Sequence, residues 1–145
     1  MIAESPEGIE LRRRQRLAEE TTAFRGAKIR FGAGRAALTP LSEPALKTVL
    51  EELRRDAGLN VVVKAYADAR EAGGLQLSDA RARVVVRWLI ANGISGSRLE
   101  PKGCGSSRAL WVGHTEEERA ANRKAEIVRN SKWAGCDPPA SFDFR

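Results

Sequence analysis

The stretch Val61–Arg81, VVVKAYADAREAGGLQLSDAR, decides the fold of this chain. It begins with a run of β-branched residues, which is typical of a strand buried on both faces. A loop with two glycines, Gly73 and Gly74, follows. Ser78 is then a typical N-cap for a helix. Further strands and helices alternate on both sides of this unit, and that alternation predicts a layered α/β domain with right-handed crossovers.

Two charged residues of this stretch, Asp68 and Arg81, are candidates for a binding site. Asp68 follows the strand and Arg81 falls in the first turn of the predicted helix, so their side chains could face each other across the loop. Such a pair can hold a zwitterion, because the carboxylate accepts from an ammonium group and the planar guanidinium grips a carboxylate. The alternative is an ordinary surface ion pair, which contributes roughly 0–1 kcal/mol. The spacing alone leaves both interpretations open.

The composition is that of one globular domain. The chain has 145 residues, of which 42% are hydrophobic and 30% charged, and this excludes a disordered protein. No apolar run approaches the roughly 20 residues that span a bilayer, and the N-terminal residues lack the apolar core of a signal peptide. We therefore expect either a cytoplasmic protein or a soluble piece of an exported or anchored one.

The net charge of +6, from 25 basic and 19 acidic residues, suggests a polyanionic partner. Nucleic acid and an anionic cell-wall polymer are the two candidates, and a general abundance of arginine is the alternative explanation. Binding of single-stranded nucleic acid commonly uses aromatic residues interleaved with basic ones on a strand face. This chain lacks that pattern, so we expect no nucleic-acid partner.

The two cysteines, Cys104 and Cys136, and the one histidine, His114, are too few for a zinc site of usual spacing. We expect no metal and no cofactor. A Cys104–Cys136 disulfide and two separate buried thiols are both consistent with the sequence. His114 has no evident partner, and nothing supplies an activating base for Cys104. We therefore expect the chain not to be an enzyme.

Local signals along the chain divide it into an N-terminal arm or linker (1–27), a domain (28–130) and a C-terminal tail (131–145). The domain should contain about four strands, with the helices packed mainly on one face of the sheet. The strands are expected over residues 27–31, from Val61, over 98–102 with Pro101 indicating an edge or a bend, and over 124–129. A helix capped by Ser42 carries the apolar stripe Leu46, Val49, Leu50 and Leu53, the helix after Ser78 ends at Gly93, and a third begins with a capping box at Thr115.

Two segments, LSDARARVVVRWLIANGISGSRLEPKGCG (77–105) and TEEERAANRKAEI (115–127), resemble the OmpA-like C-terminal domain family. The similarity covers roughly residues 28–130, and its strength lies in several matches in the right order and at the right intervals. These are Leu77-Ser78, Arg81-Ala82, Gly93-Ile94, Arg98-Leu99, Gly103, Gly105, Arg119, Asn122-Arg123 and Glu126-Ile127. The resemblance implies a βαβαβ-type mixed sheet and non-catalytic binding of peptidoglycan at the periplasmic face of the cell envelope.

The resemblance also assigns roles to particular residues. It implies that Asp68 takes the amino group of the diaminopimelate in a peptidoglycan stem peptide, and that Arg81 grips its carboxylate. The exit of the first strand, with Phe31, Gly32 and Ala33, would line the pocket, and Asn122 and Arg123 would lie beside it. The expected partner is peptidoglycan, other envelope proteins are candidates for further partners, and the soluble domain would anchor a membrane protein or complex to the cell wall.

The chain departs from the family pattern around Asp68. The family typically reads GHTD where this chain has Ala65-Tyr66-Ala67-Asp68, and the loop that follows is about two residues shorter. These differences support a second hypothesis, in which the fold is retained as a protein-interaction or assembly module with a degenerate pocket.

Overall fold

The computed structural model describes residues 29–106, 115–131 and 135–136. The predicted N-terminal arm, His114 and most of the predicted tail lie outside the described residues. Within these ranges no helix has the length and apolar character needed to cross a membrane. The strands are β1 (Ile29–Arg30), β2 (Val61–Ala65), β3 (Leu99–Gly103) and β4 (Lys124–Arg129), and the helices are α1 (Glu43–Arg55), α2 (Gly74–Ala91) and α3 (Glu116–Asn122).

The four strands form one mixed sheet in the order β1-β4-β2-β3. β4 is antiparallel to both of its neighbours, and β2 is parallel to β3. β2 is therefore central, and all five of its residues are buried, as its β-branched run predicts. β3 lies at an edge, where the missing N–H of Pro101 is tolerated. The expected mixed α/β sheet of four strands is confirmed.

The hydrophobic core lies on one face of this sheet. Val61, Val63 and Ala65 point to that face, because alternate residues of a strand share a side. Both long helices contribute to the core on that face, which confirms that the helices cover mainly one face. The stripe predicted for α1 is buried in full, and α2 supplies a second one; the helical members of the core are Leu46, Val49, Leu50, Leu53, Ala82, Val85, Val86 and Leu89.

Ser42 occupies the N-cap position of α1, as predicted, but the prediction that its side chain caps the helix is wrong. Its hydroxyl makes no capping hydrogen bond. It is fully buried, accepts from Arg30 N at 2.8 Å and donates to Arg30 O at 3.1 Å. Ser42 therefore fastens the edge strand β1 to the start of α1.

Ser78 was predicted to open the second helix, and this is also wrong, because α2 begins four residues earlier at Gly74. Gly73 precedes it with a φ of +63°, a left-handed conformation that glycine adopts without a steric penalty. The buried Ser78 hydroxyl donates to Leu75 O at 2.9 Å and accepts from Gly105 N at 2.8 Å. It links α2 to the chain that leaves β3.

The contact between α2 and β3 requires a glycine at position 103. A Cβ added to Gly103 would lie 2.5 Å from Asp79 N and 2.7 Å from Asp79 Cα. Both are backbone atoms, so the overlap cannot be relieved by a side-chain rotation. The absence of a side chain at Gly103 thus sets how closely the helix lies on the sheet.

The chain is cross-linked just beyond β3, where Cys104 and Cys136 form a disulfide with Cα atoms 5.5 Å apart. Of the two alternatives that the sequence left open, the structure has the disulfide. Beside it, Lys64 on the face of β2 away from the helices donates to Gly135 O at 3.4 Å. Residues 135 and 136 are thereby held against the sheet.

Candidate functional site

The predicted site residues converge where β1 and β2 end, beside a cavity of about 520 Å³. Among the residues that the structure describes, three parts of the chain form its walls: the loop after β1, the loop between β2 and α2, and helix α3 with the residue that follows it. The lining residues are Ala33, Gly34, Asp68, Arg70, Glu71, Ala72, Glu116, Arg119 and Arg123.

Asp68 lies in the wall of this cavity and is only 4% exposed. Its Oδ1 accepts from Asn122 Nδ2 at 2.8 Å, and its Oδ2 accepts from Arg70 N at 3.1 Å. A carboxylate has about four acceptor positions, so these two bonds leave capacity for a ligand. Among the residues that the structure describes, Asp68 forms no ion pair. Its hydrogen-bond partners in the described part of the chain, Asn122 and the backbone N–H of Arg70, are neutral groups.

Arg81 is fully buried, and every one of its five N–H groups donates within the chain. Nε donates to Arg35 O at 2.9 Å. Nη1 donates to Tyr66 O at 3.0 Å and to Glu71 Oε1 at 2.7 Å. Nη2 donates to Gly32 O at 3.1 Å and to Glu71 Oε2 at 2.5 Å. The guanidinium therefore holds the loops after β1 and β2 together, and it lies behind the cavity wall.

The carboxylate that pairs with Arg81 is Glu71, which sequence reasoning did not single out. Its side chain is 8% exposed. Besides the two bonds from Arg81, Oε1 accepts from Asp68 N at 2.8 Å and Oε2 accepts from Gly34 N at 2.7 Å. Burial alone would raise the pKa of Glu71, but the hydrogen bonds from Arg81, Gly34 and Asp68 outweigh it and hold the pKa below its usual value. Glu71 is therefore ionised at neutral pH.

One sequence signal could have indicated the position of Glu71. Asp68 and Glu71 are three residues apart, the spacing of a capping box, in which the second side chain reaches back to the first backbone N–H. The structure has that bond, with Glu71 accepting from Asp68 N, and the Asp68 side chain in turn accepts from Arg70 N. Here it stabilises a turn, because α2 starts only at Gly74.

A second charged group lies on the wall formed by α3. Glu116 pairs with Arg123 Nη2 at 2.7 Å and with Arg119 Nε at 3.5 Å. The hydrogen bond and charge of Arg123, more than those of Arg119, lower the pKa of Glu116. The Glu116 side chain is 64% exposed, so solvent screens these pairs and their contribution to stability is small. Arg123 also donates through Nε to Phe31 O at 3.2 Å.

The structure brings all seven predicted binding residues together, but only three of them line the cavity. Those three are Asp68, Ala33 and Arg123. The other four lie behind the wall. Asn122 donates to Asp68, and Arg81 binds Glu71. The Arg81 guanidinium also contacts Gly32 O and the Phe31 ring, whose centroid lies 5.3 Å from Arg81 Cζ. Arg70, Glu71, Glu116 and Arg119 are cavity residues that sequence reasoning missed.

The charges of the site leave a place for an ammonium group beside Asp68. Glu71 and Glu116 each have an arginine partner, whereas Asp68 has none among the described residues. In the ranges 29–106, 115–131 and 135–136 no group of three or more histidine, cysteine or acidic side chains could hold a metal ion. A cation that enters the cavity can therefore pair with Asp68 without breaking an existing ion pair.

Comparison with known proteins gives a family match over most of the chain. The model of the OmpA family matches residues 30–130. The peptidoglycan-binding protein ArfA of Mycobacterium tuberculosis is 33% identical over 116 residues, which are 79% of this chain and 36% of that protein. The peptidoglycan-associated lipoprotein of Pseudomonas aeruginosa is 32% identical over 94 residues, 63% of this chain and 55% of that protein. The chain thus spans between about a third and about half of these relatives.

Solved structures support the fold. The peptidoglycan-associated lipoprotein of Burkholderia pseudomallei superposes with a TM-score of 0.66 at 22% identity. The alignment covers 72% of this chain and 90% of that structure. At this identity the likeness establishes a shared arrangement of strands and helices.

Proposed function

Because the chain belongs to the OmpA family, we propose that it is a non-catalytic domain that binds peptidoglycan. It would do so at the periplasmic face of the cell envelope and anchor a membrane protein or complex to the cell wall. Relatives whose names state peptidoglycan binding or association support this proposal. Other envelope proteins are its possible further partners.

The observation that carries the proposal is the Asp68 carboxylate, which is buried in the cavity wall and has no ion pair among the described residues. Burying an unpaired charge costs free energy, and a ligand ammonium would offset that cost. The stem peptide of peptidoglycan supplies such a group in its diamino acid. We propose that this ammonium enters the cavity and binds Asp68.

The position assigned to the carboxylate of diaminopimelate differs from the ammonium site, because it is already occupied. The family resemblance assigns it to Arg81, but in this structure the guanidinium is held by Glu71. A diaminopimelate carboxylate that binds Arg81 must replace the carboxylate of Glu71. The ammonium site is therefore open, whereas the carboxylate site is already filled.

Sedimentation with insoluble peptidoglycan tests the proposal. The Asp68→Asn variant should lose affinity about tenfold or more, since a hydrogen bond between charged groups contributes roughly 1.5–3 kcal/mol. Asp79→Asn is the matched control, because it makes the same chemical change on a side chain that is 45% exposed and lies outside the cavity lining. Equal retention of the wild type and Asp68→Asn would rule out this site.

A second candidate is a protein-interaction or assembly module. The pairing of Arg81 with Glu71 favours this second candidate, because it leaves Arg81 no free N–H donor for a peptidoglycan ligand. Hydrogen exchange distinguishes the two candidates. Protection of the 66–73 loop by an envelope protein, together with no retention on peptidoglycan, would support the second.

A further inference from the structure

The Arg81–Glu71 pair is closed to any further ligand. A guanidinium has five N–H donors and a carboxylate about four acceptor positions. All five donors of Arg81 are used, three by backbone carbonyls and two by Glu71. All four positions of Glu71 are filled, two by Arg81 and two by the backbone amides of Gly34 and Asp68. Neither group has hydrogen-bonding capacity left over.

Among the described cavity residues, a ligand carboxylate finds no strong partner elsewhere. Arg119 and Arg123 are already paired with Glu116. Arg70 lines the cavity but is exposed, so water screens its attraction for an anion. The internal carboxylate of Glu71 also repels a second carboxylate brought close to it. Asp68, in contrast, has acceptor capacity left for an ammonium.

We propose that Glu71 takes the place of the ligand carboxylate, and that the cavity selects a stem-peptide side chain with a primary ammonium and no free carboxylate beside it. This inference rests on the proposed function, and it specifies which form of the diamino acid is bound. Two sources share this chemistry: diaminopimelate whose carboxylate next to the ammonium is amidated, and lysine.

The test uses three soluble stem tetrapeptides that differ only in the third residue, which is diaminopimelate, its amide or lysine. Each is titrated calorimetrically into the wild-type chain. We expect the amidated or the lysine peptide to bind at least tenfold more tightly than the free-carboxylate peptide. Whichever of the two binds more tightly identifies the source, and either order supports the inference. A free-carboxylate peptide that binds as tightly as the other two, or more tightly, overturns it.

The variant Glu71→Ala tests the role of this residue directly, because it leaves the Arg81 guanidinium without its carboxylate. The affinity of the free-carboxylate peptide should then rise at least tenfold relative to that of the amidated peptide. The free-carboxylate peptide should also raise the melting temperature of the variant more than the amidated peptide does. Glu43→Ala, an exposed change on α1, should keep the wild-type preference. An unchanged preference in Glu71→Ala contradicts the inference. If that variant does not fold, the wild-type ranking of the three peptides decides.

Failure of this inference differs from failure of the proposed function. If the wild type binds none of the three peptides and is not retained on peptidoglycan, the proposed function is wrong. If it binds them through Asp68 but prefers the free carboxylate, peptidoglycan binding stands and the role given to Glu71 is wrong.

Discussion

Removing the Glu71 carboxylate should destabilise the domain as strongly as the loss of a core side chain. In Glu71→Ala the Arg81 guanidinium stays fully buried but loses both hydrogen bonds to its counter-ion. Breaking a buried ion pair from one side costs about 3–5 kcal/mol, because an uncompensated charge remains. The stability of a domain is typically about 5–15 kcal/mol, so the change removes a large share of it.

A double-mutant cycle with Arg81→Met measures the pair itself. Each single variant leaves one buried charge unpaired, whereas the double variant Glu71→Ala/Arg81→Met leaves neither. The double variant should therefore be less destabilised than the sum of the two single changes, with a coupling energy of about 2–3 kcal/mol. Urea unfolding followed by circular dichroism gives the four free energies of unfolding.

The control for this cycle is an exposed ion pair, Glu43–Lys47 on α1, with N and O 3.3 Å apart. Lys47→Ala should change the free energy of unfolding by less than about 0.5 kcal/mol. If Glu71→Ala also costs less than 1 kcal/mol, the buried pair does not form in solution. Arg81 would then be free for a ligand carboxylate, which refutes a carboxylate site closed by Glu71.

The same pair predicts a dependence on pH. The folded protein holds the pKa of Glu71 below its usual value of 4.5. A carboxyl group with a depressed pKa stabilises the fold above the unfolded-state pKa, and this contribution is lost as the pH falls through the folded-state value. The difference in stability between the wild type and Glu71→Ala should therefore be constant above about pH 6 and shrink below pH 4.5. A difference that grows on acidification would contradict the assignment.

Two further predictions concern the packing around β3. Gly103→Ala should lower the free energy of unfolding by about 1–3 kcal/mol, because its Cβ would lie 2.5 Å from Asp79 N. Gly58→Ala is the control in thermal unfolding, because the atom nearest to its added Cβ lies at 3.6 Å. Equal melting temperatures of the two variants would show that α2 and β3 are less closely packed. Reduction of the Cys104–Cys136 disulfide, which closes a loop with a sequence separation of 32, should lower the free energy of unfolding by about 3–4 kcal/mol. In urea unfolding Cys136→Ser should show the same loss and no further response to reductant, and a wild type insensitive to reductant would disagree with the disulfide.

Strong local signals predicted most of the fold correctly. The apolar stripe of α1 and the β-branched run of β2 are periodic, and a periodic pattern needs only neighbouring residues to be recognised. The helix start predicted at Thr115 is equally local, and the structure has its N-cap, with Thr115 Oγ1 accepting from Glu118 N at 3.1 Å. The last strand has the predicted bounds, Lys124–Arg129.

The serine caps failed because a hydroxyl bonds to whichever amide the fold brings within reach. Ser42 and Ser78 both have the right residue type for a helix start. In the folded chain Ser42 bonds to Arg30, 12 residues away, and Ser78 to Gly105, 27 residues away. A local preference worth about 1 kcal/mol was outweighed by the need to satisfy these buried backbone groups.

The sequence by itself determined the four-stranded α/β fold and the family, and it predicted that Asp68 and Arg81 belong to one site. Only the tertiary structure decided what Arg81 binds. Several carboxylates lie near Arg81 in sequence. Glu71 becomes its partner because two backbone amides complete the hydrogen bonding of the Glu71 carboxylate: Asp68 N, and Gly34 N, which lies 37 residues from Glu71. Those two amides come together only when the loops after β1 and β2 meet, which no local pattern in the sequence specifies.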